Sequence, residues 1–291
     1  MASPRTDLSF TSADGNLRLH ALVQGPENAP LTVLCLHGLT RNVADFGFIA
    51  ERLSARYRVI AADQRGRGKS QWDPQIANYR PSTYVADMFA LLDHLAIERV
   101  AVIGTSMGGI MAMIMGAMQP RRLQGIVLND IGPEVSAAGL QRLRHSLNDR
   151  TPASTWAEAS VQAKRLNGMA FPDYRDADWD AFARRTYVQD PAGRPVPAFD
   201  PAILNGLNET SPSAVPADLW SQWRQLAPIP MLAIRGALSD IITAETLESM
   251  AARHPNLRTV TLVNRGHAPM LDEPEAVAAI EEFLKRLETP R

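Results

Sequence analysis

The sequence predicts an α/β fold in which helices flank a mostly parallel central sheet. Six short apolar runs without strict alternation are typical of strands that are buried on both faces of a parallel sheet. Amphipathic stretches of helical length alternate with these runs, as expected for helices that cover both faces of the sheet. The predicted helices span residues 43–54, 82–95, 107–118, 243–253 and 274–287.

The predicted strands can be followed in order along the chain. Residues 7–24 are predicted to form a hairpin, because the turn-type sequence Asp14-Gly15-Asn16 separates two partly alternating stretches. Strongly apolar runs with few charged residues then supply the remaining strands. These runs are residues 31–36, 59–62, 100–104, 125–128, 231–234 and 259–263.

One long interval interrupts the alternation of strands and helices. Between about residues 133 and 228 no strand-like run occurs, and helical stretches such as 154–166 and 177–188 take its place. We therefore predict a mostly helical insertion at 134–225. It would separate a first part of the core, residues 1–133, from a second part, residues 226–291.

Composition excludes several classes of function. The 291 residues are 45% hydrophobic, which is enough to bury a sizeable core, and the net charge of −1 predicts no nucleic-acid or membrane partner. The single cysteine, Cys35, cannot form an intrachain disulfide, and the N-terminal residues carry no apolar signal segment, so we expect a cytoplasmic protein. No HExxH motif or Cys/His cluster occurs, so neither a metal nor a cofactor is expected. A small-molecule substrate and a monomer or homodimer fit this composition.

The motif that carries chemistry is Gly104-Thr105-Ser106-Met107-Gly108, between a predicted strand and a predicted helix. A serine at so sharp a turn has strained backbone angles, so its neighbours two residues away must be small. The turn presents the hydroxyl at the carboxyl ends of the strands, where α/β sheets bind ligands. Ser106 is therefore the candidate nucleophile, and the Met107 N–H at the helix N-terminus is a candidate oxyanion donor.

A serine nucleophile needs a base and an acid that orients the base. His267 follows the last predicted strand, and Asp240 follows the strand before it, which gives the order Ser106, Asp240, His267 expected after such a serine turn. Asp130, after the run at 125–128, is the alternative acid. His37, at the end of an early strand, is expected to brace its loop by hydrogen bonding rather than to act as the base.

The turn after the first strongly apolar strand offers a second oxyanion donor. In His37-Gly38-Leu39, the glycine permits a close approach of the backbone, and the Leu39 N–H is the predicted partner of the Met107 N–H.

A third segment, Asp63-Gln-Arg65-Gly-Arg-Gly68-Lys-Ser70, partly matches a phosphate-binding loop. Asp63 stands where that loop needs its first glycine, so the phosphate cradle is incomplete. We expect Asp63 and Arg65 to brace the loop after their strand instead.

Together these features resemble the α/β-hydrolase fold superfamily, in its esterase and lipase-like branch. The resemblance covers the His37-Gly38 turn, the segment 63–70, the serine turn, Asp240 and Gly266-His267, and leaves only the insertion unmatched. It implies that the insertion is a helical cap over the active site. It also implies a serine hydrolase of carboxylic esters, including lactones, that reacts through an acyl-enzyme.

Two alternatives stay open at this stage. The first is hydrolysis of a carbon–carbon bond in a dienoate or diketone on the same fold. Enzymes of that type typically carry a different loop after the first His-Gly and an aromatic residue after the catalytic histidine, where this chain has Ala268. The second alternative is a scaffold without catalytic activity.

Substrate-binding residues are sought in the insertion and near the oxyanion donors. Trp156, Trp179 and Tyr187 are candidates for the wall of an apolar acyl pocket, although such aromatic residues also serve as the core of a helical cap. Arg41, two residues after Leu39, is a candidate partner for a substrate carboxylate, with exposure to solvent as the alternative.

Overall fold

The computed structural model describes residues 4–148, 151–207 and 219–288. In this part of the chain, ten strands form an eight-stranded sheet and a separate pair. The strands are β1 (Thr6–Thr11), β2 (Arg18–Gln24), β3 (Thr32–Leu36), β4 (Arg58–Asp63), β5 (Val100–Thr105), β6 (Leu123–Asn129), β7 (Tyr187–Gln189), β8 (Pro195–Pro197), β9 (Met231–Gly236) and β10 (Leu257–Leu262).

The large sheet has the order β1-β2-β4-β3-β5-β6-β9-β10. Strand β2 is antiparallel to both of its neighbours, and all other neighbouring strands are parallel. The predicted α/β fold with a mostly parallel sheet is confirmed.

Helices cover both faces of this sheet. Helices α1 and α9 contribute to a hydrophobic cluster on one face, and α2, α3 and α8 contribute to a cluster on the other. No helix in the described ranges is long and apolar enough to cross a membrane. The helices are α1 (Gly47–Leu53), α2 (Pro81–His94), α3 (Met107–Met118), α4 (Ala137–Asn148), α5 (Trp156–Asn167), α6 (Asp176–Thr186), α7 (Trp220–Gln225), α8 (Ala244–Ala252) and α9 (Pro274–Leu287).

The surroundings of strand β3 explain why its sequence does not alternate between apolar and polar residues. Leu34 and Leu36 enter the cluster that contains α2 and α3, whereas Val33 and Cys35 enter the cluster that contains α1 and α9. Because both faces are buried, each of these four positions selects an apolar side chain. Cys35 thus serves as packing in the core.

Strand β10 differs from the prediction of strands buried on both faces. It is one of the two edge strands of the sheet, and Arg258, Thr259 and Thr261 are exposed. An edge strand has one neighbour only, and polar side chains on it discourage pairing with other chains.

The segment between β6 and β9 contains helices α4 to α7. Its aromatic residues Phe171, Trp179 and Phe182 form a small hydrophobic cluster of their own. The segment also contains β7 and β8, which pair antiparallel although no strand-like run was predicted there. Two of the three residues of β8 are prolines. Because proline is rare inside sheets, the sequence pattern did not predict a strand here.

The loop after β4 is held by buried charges, in line with the bracing predicted for it. The Asp63 carboxylate accepts hydrogen bonds from the Val43 and Lys69 backbone amides at 2.9 and 3.0 Å. The guanidinium of Arg65 is fully buried and makes a two-pronged contact with Asp87, at 2.6 and 2.8 Å. Arg65 also donates to Asp14 and Asp73, at 2.8 and 2.7 Å.

This charge cluster predicts a large loss of stability when Arg65 is removed. Arg65→Met is expected to lower the free energy of unfolding by about 3–5 kcal/mol, because carboxylates buried with the guanidinium would lose their cation. Urea unfolding followed by circular dichroism measures the change. Arg52→Met is the control, because Arg52 pairs with Glu281 in solvent and should contribute little. Equal effects of the two substitutions would contradict the role assigned to Arg65.

Candidate active site

Ser106 occupies a sharp turn between β5 and α3. Its backbone angles, φ 51° and ψ −116°, lie in a region that residues other than glycine rarely adopt. The Ser106 amide donates to the Asn129 carbonyl on the neighbouring strand at 3.0 Å, and the Ser106 carbonyl accepts from Ile110 at 3.1 Å. Such strain costs on the order of 1–3 kcal/mol and persists only where the surrounding structure holds it.

Two glycines make this turn possible by allowing backbones to touch. A Cβ on Gly104 would lie 2.4 Å from the Gly108 carbonyl oxygen, and a Cβ on Gly108 would lie 1.9 Å from the Leu36 carbonyl oxygen. Both oxygens belong to the backbone, so they could not move aside as the end of a flexible side chain could. The small residues expected on either side of Ser106 are therefore required by close contacts.

His267 joins Ser106 to a carboxylate. Its Nε2 lies 2.9 Å from the Ser106 Oγ, and its Nδ1 lies 2.8 Å from the Asp130 Oδ2. With the carboxylate at Nδ1, the neutral imidazole carries its proton on Nδ1 and leaves Nε2 free to accept the serine proton. The three side chains therefore have the geometry of a nucleophile, a base and an orienting acid.

The carboxylate that contacts His267 belongs to Asp130, which directly follows β6. Its carboxylate also accepts hydrogen bonds from the Gly236 amide at 2.8 Å and from the Ser239 hydroxyl at 2.6 Å. The Asp130 side chain is fully buried, and these donors together with His267 compensate the burial of its charge. Ser239 is a supporting residue that the sequence analysis did not identify.

The structure does not bring Asp240 to His267, which corrects the acid expected from the chain order. Asp240 lies in the loop after β9 and forms an ion pair with Arg142 of α4, whose Nη2 is 2.7 Å from the Asp240 Oδ1. The hydrogen bonds from Arg142 lower the pKa of the Asp240 carboxyl. Strands β6 and β9 are neighbours, so both aspartates lie at the same edge of the sheet, and order along the chain could not separate them.

Leu39 and Met107 lie close to the serine, as predicted. A Cβ on Gly38, the residue before Leu39, would lie 3.7 Å from the Ser106 Cβ, so the turn after β3 passes directly beside the nucleophile. Met107 is the first residue of α3, where amides have no partner within the helix. Among the described residues, neither the Leu39 nor the Met107 amide donates to another backbone or side-chain atom outside regular helices and strands. Both amides therefore remain candidates for the predicted oxyanion donors.

His37 braces its turn and does not face the serine. Its Nδ1 lies 2.8 Å from the Gly38 carbonyl oxygen, and its Nε2 accepts from the Gln64 amide at 3.1 Å. Burial lowers the pKa of His37 to about 4, so the ring is neutral at pH 7. A neutral ring that donates from Nδ1 and accepts at Nε2 satisfies both contacts.

A cavity of about 780 Å³ opens above Ser106 and His267. Apolar side chains from the core and from the segment between β6 and β9 form most of its wall. Among the described residues, three arginines also reach the wall, and each has a carboxylate partner: Arg41 with Asp45, Arg142 with Asp240, and Arg194 with Asp190.

Two of the four predicted substrate-binding residues line this cavity. Arg41 does so, but its guanidinium already makes a two-pronged contact with Asp45, at 2.6 Å for both bonds, and stacks over Phe182. Tyr187 lines the cavity as well. Trp156 and Trp179 are absent from the described wall and pack in the aromatic cluster of the insertion.

The comparisons with known proteins agree with this fold. A family model described as "Alpha/beta hydrolase family" matches residues 33–280. The chain is 30% identical to the 3-hydroxybutyrate-oligomer hydrolase of Cupriavidus necator, over 97% of this chain and 98% of that protein. It is 25% identical to the 3-oxoadipate enol-lactonase 1 of Acinetobacter baylyi, over 93% of this chain and 94% of that protein.

Among solved structures, an alpha/beta hydrolase from Novosphingobium aromaticivorans is similar along its whole length. The TM-score is 0.91 at 41% sequence identity, and the match covers 98% of this chain and 99% of the other. The chain therefore belongs to the alpha/beta hydrolase family, and the relatives named above support a hydrolase.

Proposed function

We propose that this protein is a serine hydrolase that cleaves carboxylic esters through an acyl-enzyme. The observation that carries the proposal is the unbroken hydrogen-bonded series from the Ser106 hydroxyl through His267 to Asp130. A serine hydroxyl is a weak nucleophile by itself and becomes effective when an oriented base accepts its proton. The cavity above Ser106 provides space for a substrate.

In the first half of the reaction, the Ser106 Oγ attacks the ester carbonyl carbon while the His267 Nε2 takes the serine proton. The carbonyl oxygen becomes an oxyanion and accepts hydrogen bonds from the Leu39 and Met107 amides. The tetrahedral intermediate then collapses. The bond to the alcohol oxygen breaks, and protonated His267 donates its proton to the leaving alkoxide.

The second half returns the enzyme to its starting state. His267 removes a proton from water, and the resulting hydroxide attacks the acyl carbon. The bond between the Ser106 oxygen and the acyl group then breaks, and His267 returns the proton to the serine. Asp130 keeps its charge throughout and stabilises the imidazolium in both halves.

The cavity favours an uncharged ester of medium size. Its wall is mainly apolar, and Arg41, Arg142 and Arg194 are each neutralised by an aspartate. To pair with one of these three arginines, a substrate carboxylate would have to displace its aspartate. The names of two relatives, a hydrolase of 3-hydroxybutyrate oligomers and an enol-lactonase, support esters of short hydroxy acids and lactones as the classes to test first.

A fluorophosphonate probe tests the proposed nucleophile. We expect one covalent adduct per chain, located on Ser106 by peptide mass spectrometry, and loss of turnover of 4-nitrophenyl butyrate in parallel with labelling. Ser146→Ala is a matched control, because Ser146 also lines the cavity but has no histidine partner among the described residues, so labelling should be unchanged.

The same enzyme is then assayed on hydroxy acid oligomers, lactones and a dienoate with a cleavable carbon–carbon bond. Turnover of the esters or lactones agrees with the proposal. An adduct on a residue other than Ser106, ester turnover that persists in the fully labelled enzyme, or cleavage of the dienoate alone would contradict it.

A further inference from the structure

Arg67 is a buried cation without a carboxylate partner in the described part of the chain. It lies in the loop after β4, two residues after Arg65, and its side chain is fully buried. Arg65 is also fully buried but is surrounded by carboxylates, as described above. Burying an arginine without a counter-ion has a large desolvation cost, so other contacts must compensate the burial of Arg67.

The guanidinium of Arg67 contacts both residues that carry the proposed oxyanion donors. Its Nε donates to the Leu39 carbonyl oxygen at 2.9 Å, and its Nη2 lies 3.7 Å from the Met107 sulfur. Its Nη1 donates to the Arg65 carbonyl oxygen at 2.7 Å. One rigid planar group thus connects the turn after β3 to the start of α3.

Aromatic rings and the backbone hold this guanidinium in place. Its central carbon lies 4.7 Å from the ring centre of Tyr84 and 5.7 Å from that of Tyr79, within the range of cation–π attraction. The Arg67 backbone forms an antiparallel bridge with Phe199, a residue of the cavity wall. Arg67 is therefore fixed at both its backbone and its side-chain end.

We propose that Arg67 is a positioning residue of the oxyanion hole, which rests on the proposed function above. The Leu39 carbonyl held by Arg67 belongs to the same residue as the Leu39 N–H, so fixing the one limits the rotation of the other. The contact with the Met107 sulfur is to a side chain and therefore restrains the second donor residue less directly. A donor that is misplaced by about 1 Å costs on the order of 10²-fold in rate.

The positive charge of Arg67 is also expected to raise the rate of the reaction. A buried cation without a carboxylate partner among the described residues attracts negative charge more strongly than it would in solvent. Negative charge appears on the substrate oxygen only as the tetrahedral intermediate forms, so this attraction stabilises the transition state more than the bound substrate.

Arg67→Met and Arg67→Lys test the proposal in steady-state kinetics with 4-nitrophenyl butyrate. We expect Arg67→Met to lower kcat by about 10²-fold with KM changed by less than about threefold, because the loss falls on the transition state. Affinity for a trifluoromethyl ketone, which forms a tetrahedral adduct with a nucleophilic serine, should fall in parallel. Arg67→Lys keeps the charge but lacks the planar fork, so it should recover only part of kcat.

Ser70→Ala is the control for loosening of the loop. It removes the hydrogen bond from the Ser70 hydroxyl to the Asp63 carbonyl oxygen, 2.7 Å long, and Ser70 is not part of the cavity wall. We expect a lower Tm with unchanged kcat, whereas a purely structural role for Arg67 would give its variants the same behaviour. Circular dichroism checks that each variant folds, and if Arg67→Met does not fold, Arg67→Lys and Arg67→Gln decide the question by the same split between kcat and KM.

A folded Arg67 variant with kcat within about threefold of the native value, or with an effect on KM alone, overturns the proposal. Ser106→Ala is assayed beside these variants. If it retains full turnover, the proposed function fails, whatever Arg67 does. If it is inactive while the Arg67 variants are fully active, only the role of Arg67 fails.

Discussion

Replacement of Asp130 by Asn is expected to lower kcat for ester hydrolysis by about 10⁴-fold, with little change in KM. The Asp130 Oδ2 accepts hydrogen bonds from both the His267 Nδ1 and the Ser239 hydroxyl, at 2.8 and 2.6 Å. An asparagine NH₂ at this position would donate instead, which favours the histidine tautomer with its proton on Nε2. That tautomer cannot accept the serine proton. Asparagine also lacks the charge that stabilises the imidazolium.

Asp240→Asn is the matched control, because it makes the same chemical change in the loop after the neighbouring strand. Asp240 pairs with Arg142 and has no hydrogen bond to His267. We expect kcat to stay within about threefold of the native value, since the loss of a partly exposed ion pair has a small effect. A larger loss from Asp240→Asn than from Asp130→Asn would mean that the working enzyme uses the acid expected from the chain order.

The core of the fold was predictable because its strands are apolar on both faces. The runs that form β3, β4, β5, β6 and β9 lie between helices and contain few polar residues. Their composition alone therefore predicts that they are buried. The exposed face of β10 was not predictable in the same way. Its position at the edge depends on the order of strands in the sheet, which local patterns do not contain.

The same limit separates the parts of the site that the sequence predicted from those that it did not. The turn at Ser106 has a local signature, because its strain requires glycines at fixed spacing. His267 follows from its position after the last strand. The choice between Asp130 and Asp240 depends on which of two adjacent strand ends the histidine loop reaches, and that is decided by tertiary packing.

The insertion shows a further limit. Trp179 and Tyr187 were predicted on equal grounds, yet Trp179 packs in the cluster of the insertion and Tyr187 lines the cavity. Helical periodicity identifies an apolar face but does not say whether that face covers a neighbouring helix or a ligand. The role proposed for Arg67 was likewise not predictable, because the sequence of a loop does not show that one of its arginines will be buried without a counter-ion among the described residues.

Ser106→Ala is expected to lower kcat for ester hydrolysis by about 10⁶-fold, to a residual rate that comes from the oxyanion donors and substrate binding alone. The physical reason is that no other hydroxyl among the described residues lies within hydrogen-bond distance of the His267 Nε2. The residual rate is measured with 4-nitrophenyl butyrate at high enzyme concentration. Circular dichroism should show an unchanged fold, because alanine fits wherever the serine side chain does.

The double variant Ser106→Ala, His267→Ala tests whether the nucleophile and the base act as one unit or contribute independently to the rate. Once the serine is gone, His267 has no serine hydroxyl to deprotonate and can act only on water, so we expect its removal to lower the residual rate by less than about tenfold. Independent contributions would instead multiply, and the double variant would fall below the single variant by a second large factor. Such multiplication would contradict the assignment of the two side chains to one catalytic unit. A Ser106→Ala enzyme with more than about a tenth of native kcat would exclude the acyl-enzyme route, because that route forms its ester bond to the Ser106 oxygen.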